Sequence, residues 1–227
     1  MSAIAFGIPM QFDKAYVEGI SKLDAVDIAY AEQLGYRIKL LGIARKRDTG
    51  VELRVHPTLI PAKRLIANVE GAMNAVLVQA DAVGATLYYG KGAGAEPTAS
   101  AVIADLVDVI RLHTADPEHR VPHLAFQPDQ VQALPVLPIE EVITSYYLRM
   151  RVADKPGVLA DITRILADSD ISIEALIQKE AAEGESHTDI IMLTHQTVER
   201  DANAAIGRIE ALPVVQGQVT KLRMESL

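Results

Sequence analysis

The sequence predicts an α+β protein in which a region built on a mixed or antiparallel sheet precedes a ferredoxin-like βαββαβ module. Three observations carry this reading. Short runs alternate apolar and polar residues, the period of a strand with one covered face, and between them lie segments whose apolar residues recur at helical spacing. After residue 145 these segments fall in the order βαββαβ. Pro117, Pro122, Pro128, Pro135 and Pro138, five of the 11 prolines, crowd a short stretch in which they remove backbone donors and forbid long helices. The expected division is a first region over 1–112, a linker over 113–144 and a second region over 145–227.

In the first region, Ala3-Ile4-Ala5-Phe6 reads like the end of a buried helix with no capped beginning, so the chain is expected to start within a domain. Asp24 to Leu34 places Val26, Ile28, Ala29, Ala31 and Leu34 among acids, with Gly35 where helices commonly stop. Tyr36, Ile38 and Leu40 alternate with Arg37 and Lys39; Val51, Leu53 and Val55 alternate with Glu52, Arg54 and His56. Arg47-Asp48-Thr49-Gly50 lies between, which predicts a hairpin. Asn74–Gln79 and Gly84–Tyr89 are two more strands, and Pro97 to His113 is a helix with Val102, Ile103, Leu106, Val107 and Ile110 on one face.

In the second region a strand through Leu148, Met150 and Val152 precedes a helix through Val158, Leu159, Ile162, Ile165 and Leu166. Ile171 to Ile177 and Thr188 to Thr194 are strands, the latter apolar enough to lie inside a sheet. A helix from Val198 to Leu212 and a strand from Val215 to Met224 complete the order. Four antiparallel strands with both helices on one face are expected.

Composition excludes several chemistries. Without cysteine there is no disulfide, thiolate metal site or cysteine nucleophile. A net charge of -8 with no basic run argues against nucleic acid and anionic membranes as partners, and no segment reads as a membrane span or signal peptide. A cytoplasmic location is expected. His113, His119 and His123 lie in the proline-rich stretch without companion carboxylates and read as solvated, so no metal is expected. His56 and His195 are read as closing strands, and Glu140-Glu141 as a solvated pair.

Two motifs have the chemistry of ligand sites. Gly90-Lys91-Gly92-Ala93-Gly94 follows a strand and opens a helix, where glycines and free N–H groups can cradle an anion. Its spacing fits neither the dinucleotide fingerprint nor the P-loop, so a structural turn stays open beside ligand contact. Asp154-Lys155-Pro156-Gly157 turns from strand to helix, and its N–H groups suit the α-carboxylate of a small amino acid. A turn shaped by Pro and Gly alone is the alternative.

Ser2-Ala3-Ile4-Ala5-Phe6-Gly7, Asp27-Ile28-Ala29-Tyr30-Ala31-Glu32-Gln33-Leu34-Gly35-Tyr36, Arg54-Val55-His56-Pro57-Thr58-Leu59-Ile60-Pro61 and Tyr89-Gly90-Lys91-Gly92-Ala93-Gly94 resemble, in that order, the later part of bacterial homoserine dehydrogenases. Tyr147 to Met224, with Asp154-Lys155-Pro156-Gly157-Val158-Leu159 and Ile171 to Gln178, resembles the ACT regulatory domain that ends many of them. The resemblance implies an NAD(P)-dependent oxidoreductase interconverting aspartate semialdehyde and homoserine, a homo-oligomer joined through both domains, with threonine as feedback effector. It also implies that Gly92, Ala93 and Gly94 face the cofactor and that Asp154, Lys155, Pro156, Gly157 and Gln178 hold the effector. The family's nucleotide-binding domain and catalytic lysine motif are not recognisable here, and Lys14 and Lys22 do not stand in that lysine's place. No catalytic residue is therefore assigned, and the chain alone is expected to be inactive and not to bind NAD(P) tightly. The two functional classes are part of a dehydrogenase and a non-catalytic amino-acid-binding regulatory protein.

Overall fold

Asp24 begins the first long helix with a capping box: its side chain accepts from Val26 N–H, and the Asp27 carboxylate accepts from Asp24 N–H. Signals of this kind set most elements of the computed structural model, which describes residues 1–113, 125–179 and 184–227. The helices are α1 (Ser2–Phe6), α2 (Ala25–Gln33), α3 (Ala95–His113), α4 (Val158–Asp168) and α5 (Glu199–Glu210). The strands are β1 (Tyr16–Val17), β2 (Tyr36–Arg47), β3 (Gly50–Pro61), β4 (Met73–Ala80), β5 (Gly84–Lys91), β6 (Ile143–Ala153), β7 (Ile173–Gln178), β8 (His187–Thr194), β9 (Thr197–Val198) and β10 (Val215–Met224). Pro117, Pro122, His119 and His123 lie outside the described residues.

The chain forms two compact units, residues 1–10 with 62–133 and residues 11–61 with 134–227. The division expected at 112 and 145 follows chain segments, and the compact units cut across it. The physical reason is sheet pairing: β3 of the first region lies alongside β10 of the second.

In the smaller unit, β4 and β5 pair antiparallel from Met73↔Lys91 to Ala80↔Gly84. α3 follows, and none of its residues is buried. Gly7 ends α1 with φ 61°, and a Cβ there would stand 2.8 Å from the Phe126 ring, so both conformation and packing demand glycine.

In the larger unit, one sheet runs β3-β10-β6-β8-β7. β10, β6, β8 and β7 pair antiparallel in the expected ferredoxin-like order. α4 and α5 cover one face: Val158, Ile162, Leu166, Ala205 and Ile209 pack on Tyr146, Leu148, Met150, Ile190 and Met192. The opposite face carries Tyr147, Ile191, Leu193, Leu222 and Leu59, and α2 lays Tyr30 and Ala31 on it. The sheet is thus buried on both sides.

β2 pairs with β3 along its whole length, and on the other edge β3 takes two parallel partners in turn. Tyr16 and Val17 of β1 pair with Arg54 and Val55; Arg223 and Met224 of β10 pair with Thr58 and Leu59. Pro57 falls between the two partners, where its missing N–H leaves no ladder bond unmade. For that reason His56 does not close the strand as the sequence suggested, and β3 continues to Pro61.

Candidate effector site and cofactor loop

β6 ends at Ala153 and α4 starts at Val158, so Asp154 to Gly157 carry the chain from sheet to helix. The turn is held from behind by Asp154 N–H donating to Ser186 O and Lys155 N–H to Ala153 O, both at 2.9 Å. Gly157 caps α4 at φ 93° and ψ −23°, and no side chain caps the helix. The helix start therefore presents N–H donors and the positive end of its dipole. All four turn residues are exposed, and a Cβ on Gly157 would meet nothing within 4 Å. A ligand has room to approach the backbone.

Strand register sets where Gln178 lies. It ends β7 opposite Ile190, while Thr188 of the same central strand pairs with Val152, two residues before Asp154. Gln178 and the turn therefore share one end of the sheet, on strands about 10 Å apart in the hydrogen-bonding direction. With the Asp154 and Lys155 N–H groups engaged and Pro156 having none, the donors left are those of Gly157 and the first turn of α4; with the Asp154 carboxylate and the Gln178 amide they make the set a zwitterionic amino acid requires.

Sequence reasoning missed the charges beside this end. Arg151 pairs with Glu185 and stands 3.6 Å from Asp189, whose Oδ1 is buried and has no hydrogen-bond partner among the described residues. Lys179 Nζ sits 4.9 Å above the Tyr30 ring. The available signal was an acid, Asp189, directly before the apolar run Ile190–Leu193 of an inner strand.

Three buried charge networks also escaped. Arg54 donates to Glu52 at 3.2 Å, to Glu225 at 2.6 Å and to His56 Nε2 at 3.0 Å. A guanidinium can only donate, so Nε2 accepts and the proton resides on Nδ1. Burial, then the positive charge of Arg223, pulls His56 down to about 4. Glu199 accepts from Tyr146 at 2.8 Å, from Arg223 at 2.8 and 2.6 Å and from Lys221 at 2.5 Å. Burial works to raise its carboxyl, but the bonds and charges of Arg223 and Lys221 outweigh it and hold Glu199 at about 2. In the third, the Asp27 carboxylate accepts from Tyr147 and Arg149; hydrogen bonding to Asp27 raises the Arg149 pKa further, and burial next to Asp27 raises that of Tyr147.

Gly92, Ala93 and Gly94 are exposed in the loop between β5 and α3. Gly92 has a structural reason to be glycine, since a Cβ would fall 1.9 Å from the Asn74 side chain. Gly94, at φ 121°, provides the bend into α3. Glu96 occupies the first turn of that helix and opposes an anion there. β4 and β5 are antiparallel, so this loop does not follow a parallel βαβ unit.

A family model for homoserine dehydrogenase matches residues 1–107, and one for the ACT domain matches 146–214. The chain is 59% identical over 227 residues to the homoserine dehydrogenase of Pseudomonas aeruginosa, covering 100% of this chain and 52% of that protein. It is 61% identical to that of Neisseria gonorrhoeae with the same coverage. The crystal structure of a homoserine dehydrogenase from Thiobacillus denitrificans matches with a TM-score of 0.92 at 69% identity, over 99% of this chain and 51% of that one. The chain belongs to the homoserine dehydrogenase family. It corresponds to the C-terminal region of these homoserine dehydrogenases and spans about half the length of the relatives it matches. A homoserine dehydrogenase from S. aureus shares the architecture at a TM-score of 0.65 and 26% identity.

Proposed function

We propose that the chain is the regulatory part, with much of the substrate-side sheet, of an NAD(P)-dependent enzyme interconverting aspartate semialdehyde and homoserine. L-Threonine is the effector, bound at Asp154–Gly157. The observation that carries this reading is the uncapped, open start of α4 in an ACT sheet that continues through β3 into the homoserine dehydrogenase region. The threonine carboxylate takes the N–H groups of Gly157 and the first turn of α4, Asp154 takes the ammonium, and Gln178, from the same or a neighbouring ACT domain, takes remaining polar groups.

NAD(P), when bound, supplies or accepts the hydride. The residues present fit only one edge of it: the exposed Gly92–Gly94 backbone can approach a neutral portion of the cofactor, because Glu96 disfavours a phosphate at the α3 terminus. Catalytic positioning and proton transfer are assigned to no residue of this chain.

The test is calorimetry on the whole chain with the 20 amino acids, together with Gly157→Val. Threonine is expected to release heat and raise the melting temperature, and Gly157→Val to abolish both. No heat and no melting shift at millimolar threonine would remove the effector assignment; binding unaltered by Gly157→Val would place the site elsewhere.

A further inference from the structure

The spacing of α2 puts Asp27 among the polar residues that separate its apolar positions, yet Asp27 is fully buried. Four donors converge on its carboxylate. Tyr147 Oη and Arg149 Nε reach Oδ1 at 2.9 and 2.6 Å; Arg149 Nη2 and Asp24 N–H reach Oδ2 at 3.0 and 3.3 Å. One oxygen thus completes the capping box of α2 while both grip β6. Arg149 Nη2 also donates to Thr220 of β10 at 3.2 Å.

This clamp lies between two segments of different origin in the chain. β6 runs from Arg149 directly into the Asp154 turn, and α2 runs through Leu34 and Gly35, at φ 81°, into β2. Tyr30 and Ala31 pack in one apolar cluster with Tyr147, Ile191 and Leu193, and such contact is non-directional. A guanidinium–carboxylate fork is directional, because both bonds need planar alignment and weaken steeply when stretched. A broken fork would leave charge in a dry interior, so α2 follows a shift of β6.

We propose that Asp27 is the positioning residue through which occupancy of the Asp154–Gly157 turn is transmitted to α2 and the β2–β3 hairpin. The inference rests on the reading of that turn as an amino-acid site.

Amide hydrogen exchange on the whole chain, with and without millimolar L-threonine, tests it. In the unaltered chain threonine is expected to slow exchange at 154–160 and, by about fivefold, across α2. Arg149→Lys keeps the charge without the fork, and Asp27→Asn removes the partner charge. Each is expected to retain the response at 154–160 and lose it in α2. A turn that responds while α2 of the unaltered chain does not overturns the proposal and leaves the effector reading standing. So does an α2 response that persists in Arg149→Lys. No response at the turn overturns both. Should Asp27→Asn fail to fold, Arg149→Lys decides alone: a clamp that is only structural lowers the melting temperature and leaves the α2 response intact.

Discussion

His56 illustrates how a side chain can act through the proton it refuses. Its folded pKa of about 4 lies below the ordinary 6.5, so the unfolded chain binds more protons at mildly acid pH. The stability this represents is complete above 6.5 and is lost as pH falls toward 4, amounting to about 3 kcal/mol at the plateau. Chemical denaturation between pH 7 and 4 should show that loss, and His56→Gln, which can still accept from Arg54, should flatten it. Glu199 acts in a separate window. Its stabilisation is present above 4.5 and disappears toward 2, so His56→Gln should leave the steeper acid limb unchanged. Gly157 makes a further case: with φ 93° and open space around it, Gly157→Ala should cost about 1–2 kcal/mol of stability through backbone strain, measurable by urea unfolding.

At the scale of elements, α3 stands out for its uncovered face. Val102, Ile103, Leu106, Val109 and Ile110 are all more than half exposed. Such a stripe drives association, and replacing Leu106 and Ile110 by Lys should shift the chain toward monomer in light scattering without lowering the melting of the larger unit. The helix itself was legible from its apolar spacing, as were the β2–β3 and β4–β5 hairpins and the βαββαβ order, because each announces itself within a dozen residues. What could not be read was contact between distant segments. Glu52, Arg54 and His56 alternate with Val51, Leu53 and Val55 as a strand with a polar outer face would. In the structure the polar row is buried and Leu53 and Val55 are only half-buried, since Arg54 and Glu52 meet partners brought by β2 and the segment after β10. Asp27 was misread for the same reason, its partner lying more than 100 positions away. The Asp154 turn was legible because its glycine and proline act locally. Whether Gln178 shares its end of the sheet depended on register, which alternation alone does not specify.

For the molecule as a whole, the two units differ in their interiors. Among the described residues the smaller has Ala3, Ile8 and Ala67 as its buried apolar side chains, while the larger is covered on both faces of its sheet. Urea should therefore unfold the smaller unit first, visible as two transitions when separate probes are followed. Excision of the second region at residue 140 would strip Leu59 and α2 from Tyr147, Leu193 and Leu222 and leave Arg149 without Asp27, so the excised piece should melt lower than the whole chain. The pairing of β3 with β10 has a consequence for synthesis on the ribosome. Arg54 is made early, but its strongest partner, Glu225, is added 171 positions later. Until then the Thr58–Leu59 part of that edge of β3 is unpaired, and Arg54 has only its own-strand neighbours Glu52 and His56. The nascent chain must be kept from pairing that edge elsewhere, and its sheet can close only when translation reaches β10.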